Sequence, residues 1–250
     1  MTTNPLSRFV VFSDVHANLS ALQTFFEVAG QENYDSYFCL GDIVGYGARP
    51  NECCDLIRTY EPAISVVMGN HDWVALHPEE SDAFNEIARE AILWTGAHLT
   101  QVTQKYLAKL PFKIEEEDFM FVHASPHEPE HWNYVITRDD AVLCFATSDA
   151  WITFVGHSHH PFMVEQQPDG ALASVRPDEI QLRRDYRYLV NVGSVGQPRD
   201  QNSALCYVSV DVNEDLLHFH RVSYPIVPEQ EAIKAAGLPI ELAERLGQGW

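Results

Sequence analysis

Basic residues are scarce in this chain of 250 residues. It contains 16 Lys and Arg against 36 Asp and Glu, so the formal net charge is −20 with neutral His. Such a charge disfavours binding to extended nucleic acid, because a polyanion needs a broad basic surface. The composition, 46% hydrophobic and 21% charged, is that of a globular protein. The charge does not exclude small anionic ligands.

Cysteine and long apolar runs are also sparse. The five Cys are odd in number and no two have CxxC spacing, so we expect neither a disulfide framework nor a thiolate zinc site. No apolar run approaches the roughly 18 residues that a membrane span needs. The polar start, residues 1–8, lacks the features of a signal peptide. We therefore expect a cytoplasmic protein that does not bind membranes.

Several catalytic motifs are missing as well. None of the four Lys follows a Gly, so the chain has no P-loop. The segment GYGARP at residues 45–50 does not match the dinucleotide-binding pattern GxGxxG. The segment GSVG at residues 193–196 does not match the GxSxG nucleophile elbow. These absences disfavour P-loop nucleotide hydrolysis, dinucleotide-dependent redox chemistry and serine-hydrolase chemistry.

Apolar patterning predicts alternating strands and helices in the first part of the chain. The predicted strands are residues 8–13, 37–40 and 63–68, and the predicted helices between them are residues 19–30 and 51–60. This order is typical of βαβ units with parallel strands. A mostly helical region, a hairpin, a helix and a strand follow at residues 81–110, 112–122, 138–147 and 151–155.

The last third of the chain is predicted to be rich in antiparallel strands. These are residues 162–165, 171–175, 179–182, 188–192, 205–211 and 216–222. Gly237 and Pro239 divide the tail, residues 226–250, into two short helices. No linker or internal repeat divides the chain, so we expect a single domain over residues 1–250. The predicted fold is α/β (α+β in some schemes), a four-layer α/β/β/α sandwich of two mixed sheets flanked by helices.

Five short polar segments each follow a predicted strand. They are DVH at 14–16, GDIVG at 41–45, GNHD at 69–72, VHA at 122–124 and GHSH at 156–159. Each segment alone is common in turns or cores. Together they would meet where the strands of an α/β sheet end, which is where ligands bind. Their carboxylates, amide and imidazoles suit Mn²⁺, Fe or Zn²⁺.

This set of segments resembles the calcineurin-like metallophosphoesterases. The family pattern is DxH, GDxxG, GNH[DE], a single His after a strand, and GHxH, and all five parts occur here in order. The stretch NVGSVGQPR at residues 191–199 is similar to a loop of the small bacterial single-domain members. The segment GDIVGYG lacks the Arg of the GDxVDRG motif. This absence argues against the Ser/Thr protein phosphatase and diadenosine tetraphosphatase branches.

The resemblance implies a site for two divalent metal ions. Its ligands would be Asp14, His16 and His159 for the first ion, Asn70, His123 and His157 for the second, and Asp42 as the bridge. The metal could be Mn²⁺, Fe²⁺ or Fe³⁺, Zn²⁺ or Ni²⁺. A hydroxide that bridges the ions would attack phosphorus in line, opposite the ester oxygen that leaves.

Two further residues have implied catalytic roles. The family places the equivalent of His71 near the leaving group, so we expect a general acid or a hydrogen-bond donor to phosphate. Asp72 has two interpretations. It could orient His71 through a hydrogen bond, or it could cap a helix that starts at Trp73.

Five residues are candidate contacts for a small phosphate-ester substrate, and three of them also have a plainer interpretation. They are Tyr46, His127, Trp132, Tyr134 and Arg199. Trp132 and Tyr134 could stack on a base or aryl group, or could only pack their own loop. Arg199 could bind phosphate, or could pair with a surface carboxylate.

The predicted function is hydrolysis of small phosphodiesters or phosphomonoesters. Diesters are slightly preferred, because the sequence shows no evident arginine clamp for a dianionic monoester. A catalytically silent scaffold is one alternative, but all seven ligand positions and His71 are retained. A sensor that binds metal and phosphate without turnover is another. The sequence does not indicate an oligomeric state.

Overall fold

The computed structural model describes residues 6–250, so the first five residues of the polar start lie outside it. Within this range there are twelve strands. They are β1 (Arg8–Phe12), β2 (Ser36–Cys39), β3 (Ile64–Val66), β4 (Lys113–Glu116), β5 (Phe119–Val122), β6 (Ile152–Val155), β7 (Phe162–Gln166), β8 (Leu172–Val175), β9 (Glu179–Gln181), β10 (Arg187–Asn191), β11 (Leu205–Asp211) and β12 (Leu216–Val222).

Eight α-helices accompany these strands in the same range. They are α1 (Leu19–Ala29), α2 (Pro50–Arg58), α3 (Asn70–Leu76), α4 (Glu86–His98), α5 (Gln101–Leu107), α6 (Arg138–Thr147), α7 (Ile226–Ala235) and α8 (Ile240–Gln248). None of the helices described here is both long enough and apolar enough to cross a lipid bilayer.

The strands form two mixed sheets of six, which confirms the predicted sandwich. The first sheet has the order β3-β2-β1-β11-β12-β9, and the second has the order β4-β5-β6-β10-β7-β8. The neighbours β1, β2 and β3 run parallel in the first sheet. The neighbours β5, β6 and β10 run parallel in the second. Each sheet therefore has a parallel half, which brings several carboxyl strand ends to one edge.

Strand β1 shows how the sequence pattern builds the layers. Phe9 and Val11 belong to the apolar cluster between the two sheets. Val10 and Phe12 belong to the cluster between the first sheet and its helices. Side chains alternate between the two faces of a strand, so a continuous apolar run fits a strand covered on both sides. The ring of Phe9 contacts that of Phe38 edge to face, with centroids 5.6 Å apart.

Two helical regions differ in detail from the prediction. The region 81–110 is mostly helical, as predicted, but it is interrupted: a 3₁₀ helix, Pro78–Ala83, precedes α4, and Leu99 and Thr100 separate α4 from α5. The sequence suggested a helix that starts at Trp73, whereas α3 begins at Asn70. The tail does form two helices, α7 and α8, with Gly237 and Pro239 between them. That residues 1–250 form a single domain stays a prediction.

Candidate metal centre

The polar segments follow the carboxyl ends of the parallel strands. Asp14 follows β1, Asp42 follows β2, Asn70 follows β3, His123 follows β5 and His157 follows β6. Asp14, Asp42 and His157 adopt left-handed backbone conformations, with φ of 56°, 51° and 63°. Such conformations are costly for residues with a Cβ and cluster at functional sites. The turns aim the side chains at a common point between the two sheets.

The first group of ligand atoms comes from Asp14, His16 and His159. Asp14 Oδ1 lies 3.3 Å from His159 Nε2 and 3.8 Å from His16 Nε2. The two imidazole nitrogens are 3.0 Å apart. All three residues are buried, and Asp14 Oδ1 has no hydrogen-bond partner among residues 6–250. A buried carboxylate oxygen without a donor is costly unless a cation compensates it.

The second group is centred on His123. Its Nε2 lies 3.0 Å from Asn70 Oδ1, 3.1 Å from His157 Nδ1 and 3.4 Å from Asp42 Oδ2. Asp42 Oδ2 is also 3.7 Å from His16 Nε2, which belongs to the first group. The Asp42 carboxylate therefore lies between the two groups.

Hydrogen-bond acceptors beside Nδ1 set the tautomers of three of the imidazoles. Nδ1 of His16, His123 and His159 lies beside a backbone carbonyl, which can only accept a hydrogen bond. These carbonyls are Val44, Leu40 and Gln197, at 3.3, 2.8 and 2.6 Å. The Nε2 atoms of His16 and His159 consequently present lone pairs to each other at 3.0 Å, and Nε2 of His123 faces the oxygens of Asn70 and Asp42. This arrangement fits divalent cations, because a cation turns the repulsion between lone pairs into ligation.

Electrostatics within the centre also suits cations. Burial raises the pKa of Asp42, but His123 and His71 outweigh it and hold that pKa well below its usual range. Burial lowers the pKa of His123, but Asp42 raises it overall, to about 9. Burial and the neighbouring His123 lower the pKa of His157 to about 3. Metal binding would therefore displace a proton at His123, as expected for ligands that must be deprotonated.

His71 is held differently from the imidazoles of the two groups. Its backbone N–H donates to Asp42 Oδ1 at 2.8 Å, whereas its ring Nδ1 has no hydrogen-bond partner. The ring packs against Tyr46 and Phe84, with centroids 4.4 and 4.8 Å away. Burial lowers the pKa of His71 to about 4. Gly45 is needed beside it, because a Cβ there would overlap His71 Nδ1.

The structure corrects both geometric predictions for Asp72. Helix α3 begins at Asn70 with Gly69 as its cap, so Asp72 is the third helical residue and not the cap. Its carboxylate accepts hydrogen bonds from the N–H groups of Val44 and Gly69, each at 3.1 Å, and none from His71. A carboxylate at this position reaches back to the cap N–H. Asp72 therefore ties the loop after β2 to the start of α3.

A cavity of about 120 Å³ adjoins the centre. Three of the predicted substrate contacts, Tyr46, Tyr134 and Arg199, line it together with His71. The ring of Tyr134 stacks on His157, with centroids 4.0 Å apart. Arg199 Nη2 donates to the Tyr46 hydroxyl at 3.3 Å. The cavity thus has aromatic walls and one cationic group beside the candidate ligands.

Two other predicted contacts do not line this cavity. Trp132 packs against Phe112, with centroids 5.6 Å apart, and its ring centroid is 6.0 Å from that of His123. His127 Nε2 lies 3.6 Å from the Glu128 carboxylate on an exposed loop. The geometry of Trp132 matches the plainer interpretation, in which it packs its loop. A role for either residue in substrate binding stays a prediction.

Sequence analysis did not assign roles to two residues of the 191–199 stretch. The Gln197 carbonyl accepts the Nδ1–H of His159. The Ser194 hydroxyl donates to the Asp14 carbonyl at 2.8 Å. The similarity of this stretch to a family loop was the available signal, but it does not reveal which atoms contact the ligand residues.

Phe84 and Asn85 line the cavity and were missed entirely. Phe84 ends the 3₁₀ helix, and Asn85 caps α4 by accepting a hydrogen bond from Ala88 N at 3.0 Å. Both residues fall within the region that was expected to be mostly helical. The break in that region brings them to the cavity. The apolar pattern of the sequence does not predict this position.

Comparison with known proteins identifies the family of the chain. A family model described as a calcineurin-like phosphoesterase superfamily domain matches residues 8–215. The chain belongs to this superfamily. An uncharacterised protein of Methanocaldococcus jannaschii is 41% identical over 249 residues, which cover 97% of this chain and 98% of the relative. The predicted family is therefore confirmed.

Solved structures of other proteins share the fold. A metallophosphoesterase from Sphaerobacter thermophilus is 38% identical, with a TM-score of 0.85 over 99% of this chain and 100% of that chain. A hypothetical protein from Pyrococcus horikoshii is 19% identical, with a TM-score of 0.78 over 97% and 98% of the two chains. At that identity the second likeness shows the fold alone. The superfamily and the clustered Asp and His residues support a metal-binding hydrolase.

Proposed function

We propose that this protein is a dinuclear metal-dependent phosphoesterase that hydrolyses small phosphate esters. The observation that carries the proposal is the position of Asp42 between two groups of ligand atoms. Its Oδ2 lies 3.7 Å from His16 Nε2 and 3.4 Å from His123 Nε2. A carboxylate shared in this way suits two ions about 3.5–4 Å apart, the spacing of two-metal hydrolases.

The proposed ligands follow from the two groups. They are Asp14, His16 and His159 on one side, Asn70, His123 and His157 on the other, and Asp42 for both. When bound, Mn²⁺, Fe, Zn²⁺ or Ni²⁺ would acidify a water for in-line attack on phosphorus and would neutralise the phosphoryl oxygens. Asn70 contributes a neutral oxygen, which limits the negative charge that faces an anionic substrate.

We assign His71 to the substrate and not to a metal. Its ring lines the cavity and belongs to neither group of ligand atoms, and its buried Nδ1, beside Gly45, has no hydrogen-bond partner among residues 6–250. Burial lowers its pKa to about 4, so the imidazole is neutral at neutral pH. A neutral imidazole can still donate one N–H hydrogen bond. We propose that His71 donates this hydrogen bond to the leaving-group oxygen or to a phosphoryl oxygen.

The net charge bears on the size of the substrate, and the state of the thiols bears on the location of the protein. With a net charge of −20, the exterior repels long polyanions, whereas cations at the centre attract a small phosphate ester locally. The five Cys are all buried and free. Free thiols persist in a reducing compartment, so the proposal retains a cytoplasmic location.

The test is metal-dependent hydrolysis by the purified full chain. The protein is stripped with a chelator, reloaded with each candidate metal, and assayed on para-nitrophenyl phosphate and bis(para-nitrophenyl) phosphate. We expect turnover of at least one ester, dependent on metal. His123→Ala should abolish it, and His131→Ala, an exposed histidine on the neighbouring loop, should not. Absence of turnover of both esters with every metal would overturn the proposal and favour a phosphate sensor.

A further inference from the structure

Arg199 has no acidic partner, although the chain is rich in carboxylates. Within residues 6–250 no carboxylate lies within 4.0 Å of its guanidinium, whereas Arg221, for example, pairs with Asp200. Its Nη2 donates instead to the Tyr46 hydroxyl at 3.3 Å and to Gln197 Oε1 at 3.0 Å. These partners are neutral, so they orient the guanidinium without cancelling its charge.

Arg199 lies beside the candidate metal centre. The Arg199 backbone N–H faces the His159 carbonyl at 3.4 Å. Its Cζ lies 5.6 Å from the centroid of the Tyr46 ring. That ring is 4.6 Å from His16 and 4.4 Å from His71, centroid to centroid. Arg199 therefore forms part of the cavity wall beside the proposed ligands and His71.

The cavity is small for a substrate with two ester groups. Its volume of about 120 Å³ lies below the roughly 300 Å³ at which small-molecule pockets usually begin. Tyr46 and Phe84 pack against His71 on one side, and Tyr134 stacks on His157 on another. The space between these rings suits a phosphoryl group, and an organic substituent would have to point outward to solvent.

We propose that Arg199 selects phosphomonoester dianions over phosphodiesters. This inference rests on the proposed function and names the substrate class of that site. A monoester has three non-bridging oxygens, so two can face the ions and the third, still charged, can face the guanidinium. Charge-assisted hydrogen bonds from Arg to such an oxygen are strong and directional.

A diester has no third non-bridging oxygen that could face the guanidinium of Arg199. Its second ester group is neutral and bulky, and it would have to displace the Arg199–Tyr46 contact or remain outside the cavity. The same residue thus attracts a dianion and excludes a second substituent. The sequence-based preference for diesters depended on the lack of an evident arginine clamp, and the position of Arg199 reverses that preference.

The test compares kcat/KM for the two para-nitrophenyl esters in the metal-loaded full chain. In Arg199→Gln, the ratio of monoester to diester kcat/KM should fall about 10- to 100-fold, the range for losing a hydrogen bond to a charged group. Arg199→Lys keeps the charge but not the planar fork, so its ratio should be intermediate. Arg176→Gln removes an exposed arginine elsewhere and should leave the ratio unchanged.

Binding of inorganic phosphate provides a readout independent of turnover. Calorimetric titration of metal-loaded protein should show weaker phosphate binding by Arg199→Gln than by wild type, at equal metal content and thermal stability. An unchanged ester ratio together with unchanged phosphate affinity would overturn this inference alone. If wild type hydrolyses neither ester, the proposed function fails, and the phosphate titration still decides the role of Arg199.

Discussion

At the scale of single residues, the histidines of the centre fall into two kinds. His16, His123 and His159 each have Nδ1 beside a backbone carbonyl, which fixes the ring and leaves Nε2 for a ligand. His71 has no such anchor on its ring and lies against Tyr46 at the cavity. The first arrangement is typical of metal ligands, because an outer hydrogen bond sets tautomer and orientation. The second places the ring of His71 on the cavity wall, where it can meet a substrate.

This difference yields a prediction for His71. In His71→Asn, kcat should fall about 100-fold or more, the range for a positioned proton donor, while metal content stays at the wild-type level. Metal analysis and steady-state kinetics on the same preparation measure both quantities. His77→Asn, at the end of the same helix, is the matched control and should retain activity. A parallel loss of metal in His71→Asn would make His71 a ligand and contradict the assignment.

Sequence patterns predicted which residues belong to the centre better than they predicted the contacts of those residues. Asp14, Asp42 and His157 could be selected because each occurs in a short motif after a predicted strand. Asp72 could not be interpreted correctly, because its partners depend on where α3 starts and on the path of the loop at Val44. Such backbone partners leave no pattern in the side-chain sequence.

At the scale of elements, α7 supports the loop that bears His16. Glu229 of α7 is fully buried, and its Oε1 accepts hydrogen bonds from the N–H and hydroxyl of Ser20, at 3.0 and 2.7 Å. Arg49 Nη1 lies 3.8 Å from the same oxygen. Ser20 lies in the first turn of α1, where a carboxylate complements the helix dipole. The C-terminal helices therefore brace α1 directly after the Asp14–His16 segment.

Removing this carboxylate should destabilise the protein. In Glu229→Ala, Ser20 and Arg49 lose a buried charged partner, and the free energy of unfolding should fall by about 3 kcal/mol. Urea unfolding monitored by circular dichroism measures the change. Glu231→Ala, on the exposed side of the same helix, should stay within about 0.5 kcal/mol of wild type. Equal stability of the two variants would show that Glu229 does not brace α1.

Element positions were predicted best where periodicity was strong. The pattern over β1, α1 and α6 predicted their ranges to within one or two residues. The start of α3 was missed because its first turn consists of Asn70, His71 and Asp72, which form a polar motif and not an amphipathic repeat. The break before α4 was missed because Pro78–Ala83 continues the chain as a short 3₁₀ helix.

At the scale of the whole molecule, the two sheets explain how an acidic protein can hold an anion. Parallel halves of both sheets end at one edge, so loops from distant parts of the chain supply one buried centre. Only Asp14 and Asp42 of the 36 acidic residues are proposed ligands. Two divalent ions would make this centre locally positive inside an exterior of net charge −20. Sequence alone predicted the four-layer sandwich of two mixed sheets flanked by helices, but not the cavity, whose walls come from loops, α3 and the break before α4.

The central claim is a two-metal centre that shares Asp42, and anomalous X-ray scattering from Mn²⁺-loaded crystals tests it most directly. We predict two anomalous peaks per chain, one in contact with Asp14, His16 and His159, the other in contact with Asn70, His123 and His157, and both bound to the Asp42 carboxylate. A single peak in fully loaded protein, or two peaks without Asp42 between them, would contradict the account.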